Sequence, residues 1–149
     1  MYDFTRRGKQ ILNTDRFLTR VWDAEEKRMI YKHKAFIYDK VMYAFEGVSN
    51  DAIIASKGNH IVIIEPENRF IMMQCLGLPD KKKKLIYGGD IVATSNNKYL
   101  VYWDEESAAF WFKRLDNECE LLIFDFNCSC EIEIIGNQFE HPELLEERQ

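Results

Sequence analysis

The sequence contains few of the residues that mark several common protein classes. Its 149 residues include only seven Gly, three Pro and four Cys, which excludes a collagen-like, low-complexity or disulfide-framed chain. No uncharged apolar run approaches the ~18 residues that a membrane-spanning helix needs. The first ten residues lack the apolar core of a signal peptide, so we expect an intracellular protein that does not enter a membrane. With 46% hydrophobic and 13% aromatic residues, the chain has enough apolar side chains to form a core.

Catalytic motifs are also missing from the sequence. It has no glycine-rich phosphate loop, no HExxH pair and no serine elbow. Glu131 and Glu133 would share an exposed strand face, but nothing in the sequence indicates a pocket around them. We therefore predict that the protein is not an enzyme and has neither catalytic residues nor a cofactor.

The cysteines do not form a recognisable metal motif. Cys128 and Cys130 are the only close pair, and a C-x-C pair supplies at most half of a zinc site. Apolar residues recur around the pair at every second position: Leu122, Phe124, Phe126, Cys128, Cys130, Ile132 and Ile134. Side chains two apart point to the same face of a strand. We predict that both thiols are core residues and that no metal is bound.

Charge is distributed unevenly along the chain. The net charge is −5, yet residues 1–40 hold ten basic and six acidic residues, whereas residues 115–149 hold one basic and ten acidic. Two ends of opposite charge can pair within one chain or between two copies. The acidic balance disfavours duplex DNA as a partner, because that binding depends on neutralising phosphates.

Strand signals recur every eight to twelve residues and predict a mostly β fold. The predicted strands are Leu18–Trp22, Arg28–Lys32, Ala35–Phe45, His60–Glu65, Phe70–Cys75, Asp90–Thr94, Lys98–Trp103, Ala108–Arg114, Leu121–Asn127 and Cys130–Ile135. Hairpin turns are expected at Asn96-Asn97, which tolerate left-handed backbone, and at the polar residues 104–107. Gly88-Gly89 predicts a sharp backbone twist.

The predicted organisation is a basic arm, residues 1–17, followed by a single domain, residues 18–149. Pro142 suits the first turn of a short helix over residues 142–147. Within the domain we expect a smaller β unit, residues 18–75, packed against a small barrel, residues 77–136. The segment Gly-Gly-Asp-Ile-Val at 88–92 favours an SH3-like barrel, because such barrels often enter a strand through a G-D-x-V element.

Three sequence blocks carry a family resemblance. They are RVWD at 20–23 followed by KRM at 27–29, MQCLGLPDKKKKLIYGGDIV at 73–92, and IEIIGNQFEHPELL at 132–145. In order and spacing these blocks resemble the YopX family of phage and prophage proteins. The resemblance covers about residues 18–145. It implies a mostly β protein of a phage or prophage that acts in the bacterial cytoplasm, and it implies no reaction.

The resemblance also assigns structural roles. The residues that match the family motifs are Arg20, Trp22, Asp23, Gly77, Asp80, Gly89, Asp90, Gly136 and Asn137. This chain departs from the family pattern at two points. Thr19 replaces an aromatic residue, and Lys82-Lys83 replaces Asn-Gly, so the turn there must be wider or strained.

Two functional interpretations remain open. The preferred one is a non-enzymatic module for protein interaction or self-assembly, associating through a β edge or through its opposite charges, with a second copy or an unidentified phage or host protein as partner. The alternative is a binder of single-stranded DNA or RNA, which would use a lysine-rich tip and exposed aromatic rings. The candidate binding residues are Lys81, Lys82, Lys83, Lys84, Trp22 and Tyr87. A lysine-rich tip also protects a sheet edge from aggregation, and most aromatic residues are expected in the core.

Overall fold

The chain folds almost entirely into β-strands. The computed structural model describes residues 5–6, 9–10, 18–49, 52–65, 68–116, 120–122 and 131–146, with side chains in 18–49, 52–65, 68–116 and 131–146. The strands are β1 Thr5–Arg6, β2 Lys9–Gln10, β3 Thr19–Asp23, β4 Arg28–Ile30, β5 Ala35–Tyr38, β6 Val41–Ser49, β7 Ala52–Lys57, β8 His60–Ile64, β9 Phe70–Pro79, β10 Leu85–Tyr87, β11 Asp90–Ala93, β12 Lys98–Asp104, β13 Ala109–Arg114, β14 Glu120–Leu122 and β15 Glu133–Asn137. A single turn of 3-10 helix, Pro142–Leu145, follows β15. The predicted mostly β fold is confirmed, and one of its sheets curls into a half-barrel.

Strand β9 joins the two halves of the fold. It pairs with β3 from Asp23↔Phe70 to Thr19↔Gln74, and its far end pairs with β10 at Tyr87↔Cys75 and Leu85↔Pro79. The resulting sheet has the order β10-β9-β3-β4. Because β9 runs without interruption from Phe70 to Pro79, the position predicted to separate the two units, residues 75–77, lies inside a strand.

Two apolar cores lie along this strand. In the first, the sheet β5-β6-β7-β8 packs against β3 and β4, and its buried residues are Val21, Ile30, Phe36, Phe45, Ile53, Ala55 and Ile64. In the second, the sheet β14-β13-β12-β11-β15 encloses Ile86, Val92, Tyr99, Val101, Phe112 and Ile132. Tyr99 and Val101 are buried while Leu100 between them is half-buried, as the predicted alternation requires. In the alternating apolar series predicted from Leu122 to Ile134, residues 123–130 lie outside the described residues.

One predicted strand is interrupted, and one predicted hairpin forms with a different backbone from the one expected. Residues 35–45 do not form one strand, because Asp39 and Lys40 both have positive φ (48° and 64°) and make the tight turn between β5 and β6. The turn between β11 and β12 is a hairpin as predicted, but neither Asn96 nor Asn97 has a left-handed backbone. Instead, Thr94 closes it by donating its N–H to the Asn97 carbonyl at 2.9 Å and accepting the Asn97 N–H on its hydroxyl at 3.2 Å. Strand β7 was not predicted at all.

Other sequence predictions are confirmed. The polar residues 104–107 form the tip of the β12–β13 hairpin, whose last pair is Asp104↔Ala109. Gly89 has φ +91°, and a Cβ there would lie 3.0 Å from the Met73 Sδ atom, so the twist before Asp90 requires glycine. The tail helix begins at Pro142 as predicted, although it is a short 3-10 turn. No helix in the described ranges is long and apolar enough to cross a membrane.

The turn between β9 and β10 is strained, as the departure from the family pattern predicted. Lys83 occupies the position of the family's glycine and has φ +66°. This left-handed backbone is unfavourable for a residue with a Cβ atom, by about 1–2 kcal/mol.

Replacing Lys83 by glycine should therefore stabilise the fold. The relief of strain exceeds the extra entropy that glycine adds to the unfolded chain, so we expect the free energy of unfolding to rise by about 0.5 kcal/mol. Urea titration measures the change. The control is Lys83→Ala, which removes the charge but keeps the Cβ atom and should give no gain. Equal stability of the glycine and alanine variants would show that the backbone at Lys83 is not the source of strain.

Candidate functional site

The lysine-rich tip lies between β9 and β10, and all four of its lysines are exposed. Lys81 contacts the Glu133 carboxylate at 3.2 Å, and Lys82 pairs with the same group. Hydrogen bonds from Lys82 and Lys81 hold the pKa of Glu133 below its usual value, and Glu133 in turn raises the pKa of Lys82. One carboxylate thus offsets part of the charge of the tip, while Lys83 and Lys84 have no carboxylate partner among the described residues.

Asp80 fixes the shape of this tip. Its Oδ1 accepts the N–H groups of Lys82 and Lys84, each at 2.9 Å, and its Oδ2 accepts the Ile134 N–H of β15 at 3.0 Å. The Asp80 N–H also donates to the Lys84 carbonyl at 2.7 Å. Asp80 therefore holds the backbone of Lys84 at two points.

A cleft of about 610 Å³ opens beside the tip. Its walls come from β3, from the segment between β4 and β5, from β10 and β11, and from β15 with the turn that follows. The lining residues are Arg20, Tyr31, Lys84, Leu85, Tyr87, Asp90, Ile134, Ile135, Gly136, Asn137 and His141. Four of them are family-motif residues, so this cleft brings together parts of all three sequence blocks.

A buried ion pair forms the floor of the cleft. Arg20 Nη2 donates to Asp90 Oδ1 at 2.7 Å, and the two side chains are only 4% and 2% exposed. The guanidinium lies over the Tyr87 ring, 4.7 Å from its centroid, and the Tyr87 N–H donates to Asp90 Oδ2 at 2.8 Å. Within the described part of the chain, Arg20 Nε is buried without a hydrogen-bond acceptor. The pair thus joins β3 to β11, across the junction of the two sheets.

Burial raises the pKa values of two groups on this floor, Asp90 and Tyr87. It raises the pKa of Asp90, an effect that the Arg20 charge and the Tyr87 N–H only partly offset. Burial likewise raises the pKa of Tyr87 to about 12. Buried ion pairs contribute little net stability compared with apolar residues of the same shape. A buried pair with a shifted pKa at the base of an open cleft is therefore a candidate functional group.

The closing turn after β15 forms one rim of the cleft. Asn137 is buried, and its Oδ1 accepts the N–H groups of Phe139 and Glu140 at 3.1 and 2.9 Å. The Asn137 N–H donates to His141 Nδ1 at 3.2 Å. Gly136 lies so close to this imidazole that a Cβ atom at position 136 would be 2.7 Å from His141 Nδ1. Gly136 and Asn137 thus fix the position of His141.

The remaining family-motif residues serve the scaffold. Asp23 is fully buried and accepts two hydrogen bonds from Arg69, from Nε and from Nη2, both at 2.9 Å. Trp22 is buried and stacks on Phe139 at a centroid distance of 5.7 Å. Gly77 has φ +81° and donates its N–H to Cys75 Sγ at 3.3 Å, beside the irregular pairing of β9 and β10.

The structure places the candidate aromatic residues inside the fold. Trp22 is 6% and Tyr87 8% exposed, so neither ring has a face free to stack on a nucleic-acid base. Most aromatic residues were expected in the core, but Trp103, near the end of β12, is 47% exposed and contacts Phe110 edge-on. The expected aromatic surface beside the lysine tip is therefore not formed by Trp22 and Tyr87.

A second candidate surface is the outer face of the β5–β8 sheet. Its exposed apolar residues are Ile37 at 46%, Met42 at 62%, Ile61 at 67% and Ile63 at 64%. Ile37 lies opposite Met42 in the ladder, and Ile63 lies opposite Ile54, so these side chains share one face. Strand β8 is at the edge of this sheet in the strand order of the described residues.

The predicted thiol pair lies outside the region in which the site can be described. Cys119, Cys128 and Cys130 fall among the residues that the structure does not describe, whereas Cys75 is buried. Among the described side chains, no group of three or more His, Cys, Asp and Glu is placed to hold a metal ion.

Sequence reasoning missed three features of these surfaces. Arg20 and Asp90 were assigned only structural roles, although a charged residue inside an apolar strand is a signal of a buried pair. His141 was not among the candidate site residues. The apolar pattern of β8, HIVII, was interpreted as an ordinary strand, although Ile61 and Ile63 flank Val62 on the opposite face.

Comparisons with known proteins agree with the geometry. The family model described as YopX protein matches residues 19–146. The crystal structure of protein EF1440 from Enterococcus faecalis is similar in fold, with a TM-score of 0.53 and 22% identity over 86% of this chain and 96% of that chain. No curated protein matches the chain. Because the family match extends from β3 to the 3-10 helix, this chain belongs to the YopX family.

Proposed function

We propose that the protein is a non-enzymatic interaction module that self-associates through the edge and outer face of β8. The proposal includes the accessory role in a phage or prophage, within the bacterial cytoplasm, that the sequence resemblance implies. It also includes the SH3-like character of the sheet built from β11 to β15. For a non-enzymatic role, the supporting observation is that the buried carboxylate in the cleft, Asp90, is already bound by Arg20 and by the Tyr87 N–H.

The observation that carries this proposal is the composition of β8. Natural edge strands are usually protected by Lys, Pro or a bulge, because an unprotected edge pairs with other chains. The five residues of β8 are His, Ile, Val, Ile and Ile, without any of these features, and Ile61 and Ile63 are each about two-thirds exposed.

The strand is also complementary to itself. If two copies of β8 pair antiparallel about a two-fold axis at Val62, Ile61 of one copy lies opposite Ile63 of the other, and the reverse pair forms as well. Both pairs are aliphatic and lie on the same outer face, next to Ile54. Such pairing would extend two four-stranded sheets into one of eight strands and would cover the most exposed isoleucines of each copy.

Replacing both Ile61 and Ile63 by lysine should abolish self-association. Two like charges per copy would then face each other across the two-fold axis, and the edge would gain the protection that it lacks. Light scattering coupled to size exclusion should give twice the chain mass for the parent protein and the single-chain mass for the variant. The control is Ile71→Lys, which alters an isoleucine that is 40% exposed on β9 and should leave the dimer intact. A parent protein that is monomeric at high micromolar concentration would refute the proposal.

The nucleic-acid alternative is tested by the same measurement. A short oligonucleotide that raises the measured mass, with an effect that falls steeply between low and physiological salt, would favour phosphate binding. Association through apolar side chains should depend little on salt, whereas association through the opposite charges of the two ends should weaken as salt rises. We prefer self-association through β8, because Glu133 offsets part of the lysine charge and the Trp22 and Tyr87 rings are buried.

A further inference from the structure

Three side chains that line the cleft beside the lysine tip can donate hydrogen bonds. Lys84 contributes an ammonium group, and Tyr31, which is 39% exposed, contributes a hydroxyl. His141 Nδ1 accepts the Asn137 N–H, so in the neutral imidazole the proton lies on Nε2 and that nitrogen is a donor. Asp90 is the only carboxylate among the described residues that line the cleft, and both of its oxygens already accept hydrogen bonds.

The charge of the cleft follows from the same contacts. Arg20 and Asp90 offset each other on the floor, whereas Lys84 has no carboxylate partner among the described residues. The lining therefore carries one positive charge that is not balanced locally. It would attract an anion, and it would disfavour a cationic ligand.

Two of these donors start from a rigid backbone. The Asp80 carboxylate accepts the Lys84 N–H at 2.9 Å, and the Asp80 N–H donates to the Lys84 carbonyl at 2.7 Å. His141 is held through its ring by the Asn137 N–H and through its own N–H by the Asn137 carbonyl at 2.9 Å. The backbone at both donors is thus ordered before a ligand binds, so the conformational entropy lost on binding comes from the side chains.

The rest of the lining is apolar. Leu85, Ile134 and Ile135 contribute aliphatic walls, and the Tyr87 ring lies against the floor. A volume of about 610 Å³ suits a small organic molecule. We propose that this cleft binds a small organic anion, with a carboxylate or phosphate group held by Lys84 and His141 and an apolar body against Leu85, Ile134 and Ile135.

Four probes separate the parts of this proposal. Benzoate and phenyl phosphate carry both an anionic group and an apolar body, benzamide carries the body without the charge, and acetate carries the charge without the body. Titration into the isotope-labelled protein, followed by backbone amide shifts, should give saturable changes around Lys84, Gly136 and His141 for benzoate or phenyl phosphate. Binding of benzamide and acetate should be at least tenfold weaker. The tighter of the two full probes shows whether carboxylates or phosphate esters are preferred, and either preference supports the proposal.

The matched variants are Lys84→Gln and Lys83→Gln. Both remove one charge from the same exposed turn, but only Lys84 lines the cleft. We expect Lys84→Gln to weaken the tighter probe about tenfold, which is the loss of one charge-assisted hydrogen bond, and Lys83→Gln to change its affinity less than twofold. Absence of saturable shifts with both full probes, equal binding of benzamide, or equal effects of the two variants would overturn the proposal. Because neither variant touches β8, failure here leaves the proposed self-association unaffected.

Discussion

Replacing Arg20 by methionine should lower the free energy of unfolding by about 3–5 kcal/mol, the range measured when one partner of a buried ion pair is removed. Methionine keeps an aliphatic stem but removes the guanidinium that lies over the Tyr87 ring, and most of the loss reflects the Asp90 carboxylate, which stays buried without its counter-ion. Urea unfolding followed by tryptophan fluorescence measures the change. A loss below 1 kcal/mol would show that the pair is solvated and not buried.

The double variant Arg20→Met/Asp90→Asn tests whether the loss in Arg20→Met comes from the unpaired charge of Asp90. Asparagine keeps an oxygen that can accept the Tyr87 N–H but carries no charge. Since replacing a whole buried ion pair costs far less than breaking one, the double variant should recover most of the stability that Arg20→Met loses. Additive losses in the two single variants and their combination would mean that Arg20 and Asp90 act independently.

The stability that Arg20→Met loses relative to the parent should depend on pH in a defined direction. Burial already raises the pKa of Asp90, and the Arg20 charge is the main opposing effect, so removing Arg20 raises that pKa further. The ionised carboxylate then destabilises the folded state; this penalty begins to fall as the pH drops below the folded-state pKa and is gone below the unfolded-state pKa, about 3.9. The stability deficit of Arg20→Met relative to the parent should therefore be largest at neutral pH and should shrink on acidification.

The two Trp-Asp turns show what the sequence could and could not predict. WDAEE at 22–26 and WDEES at 103–107 both form hairpin tips, and five residues after each tryptophan the backbone has positive φ, 56° at Lys27 and 51° at Ala108. Local composition was thus sufficient to predict the second tip. Local composition could not predict the different environments of the two tryptophans: Trp22 is buried against Phe139, whereas Trp103 is 47% exposed. That difference arises from tertiary packing with residues over a hundred positions away.

The same limit applies to the cleft. The three sequence blocks identified Arg20, Asp90 and Asn137 as motif residues. The strands predicted at 18–22 and 90–94 contain the first two, whereas the strand predicted at 130–135 ended two residues before Asn137. Their convergence depends on β9, which pairs with β3 at one end and with β10 at the other, and β9 was predicted to end at Cys75 and not at Pro79. Strand pairing between distant segments leaves little trace in local periodicity, so the residues were identified but their common location was not.

The second large effect is expected at Asp23. This carboxylate accepts the N–H groups of Glu25 and Glu26 at 3.1 and 3.2 Å. It also accepts hydrogen bonds from Arg69 Nε and Nη2, and Arg69 Nη2 donates to the Ile37 carbonyl as well. It thus joins the β3–β4 turn to the start of β9 and to β5. Asp23→Asn should lower the free energy of unfolding by about 3 kcal/mol, the low end of the range for a broken buried pair, because asparagine keeps an oxygen for the turn. Asp104→Asn, in the equivalent exposed turn, is the control and should have a much smaller effect.

Acid titration of the same variant gives a second, independent test of the Asp23–Arg69 pair. Burial alone would raise the pKa of Asp23, but the Arg69 guanidinium and the turn N–H groups outweigh it, and the net pKa is lowered. A carboxyl with a lowered folded-state pKa stabilises the fold above its unfolded pKa, about 3.9, and loses that contribution as the pH falls through the folded value. The stability difference between the parent and Asp23→Asn should be constant from pH 7 to about pH 5 and should decline below about pH 4. A difference that stays constant down to pH 2, in urea titrations at each pH, would show that the ionised form of Asp23 does not stabilise the fold.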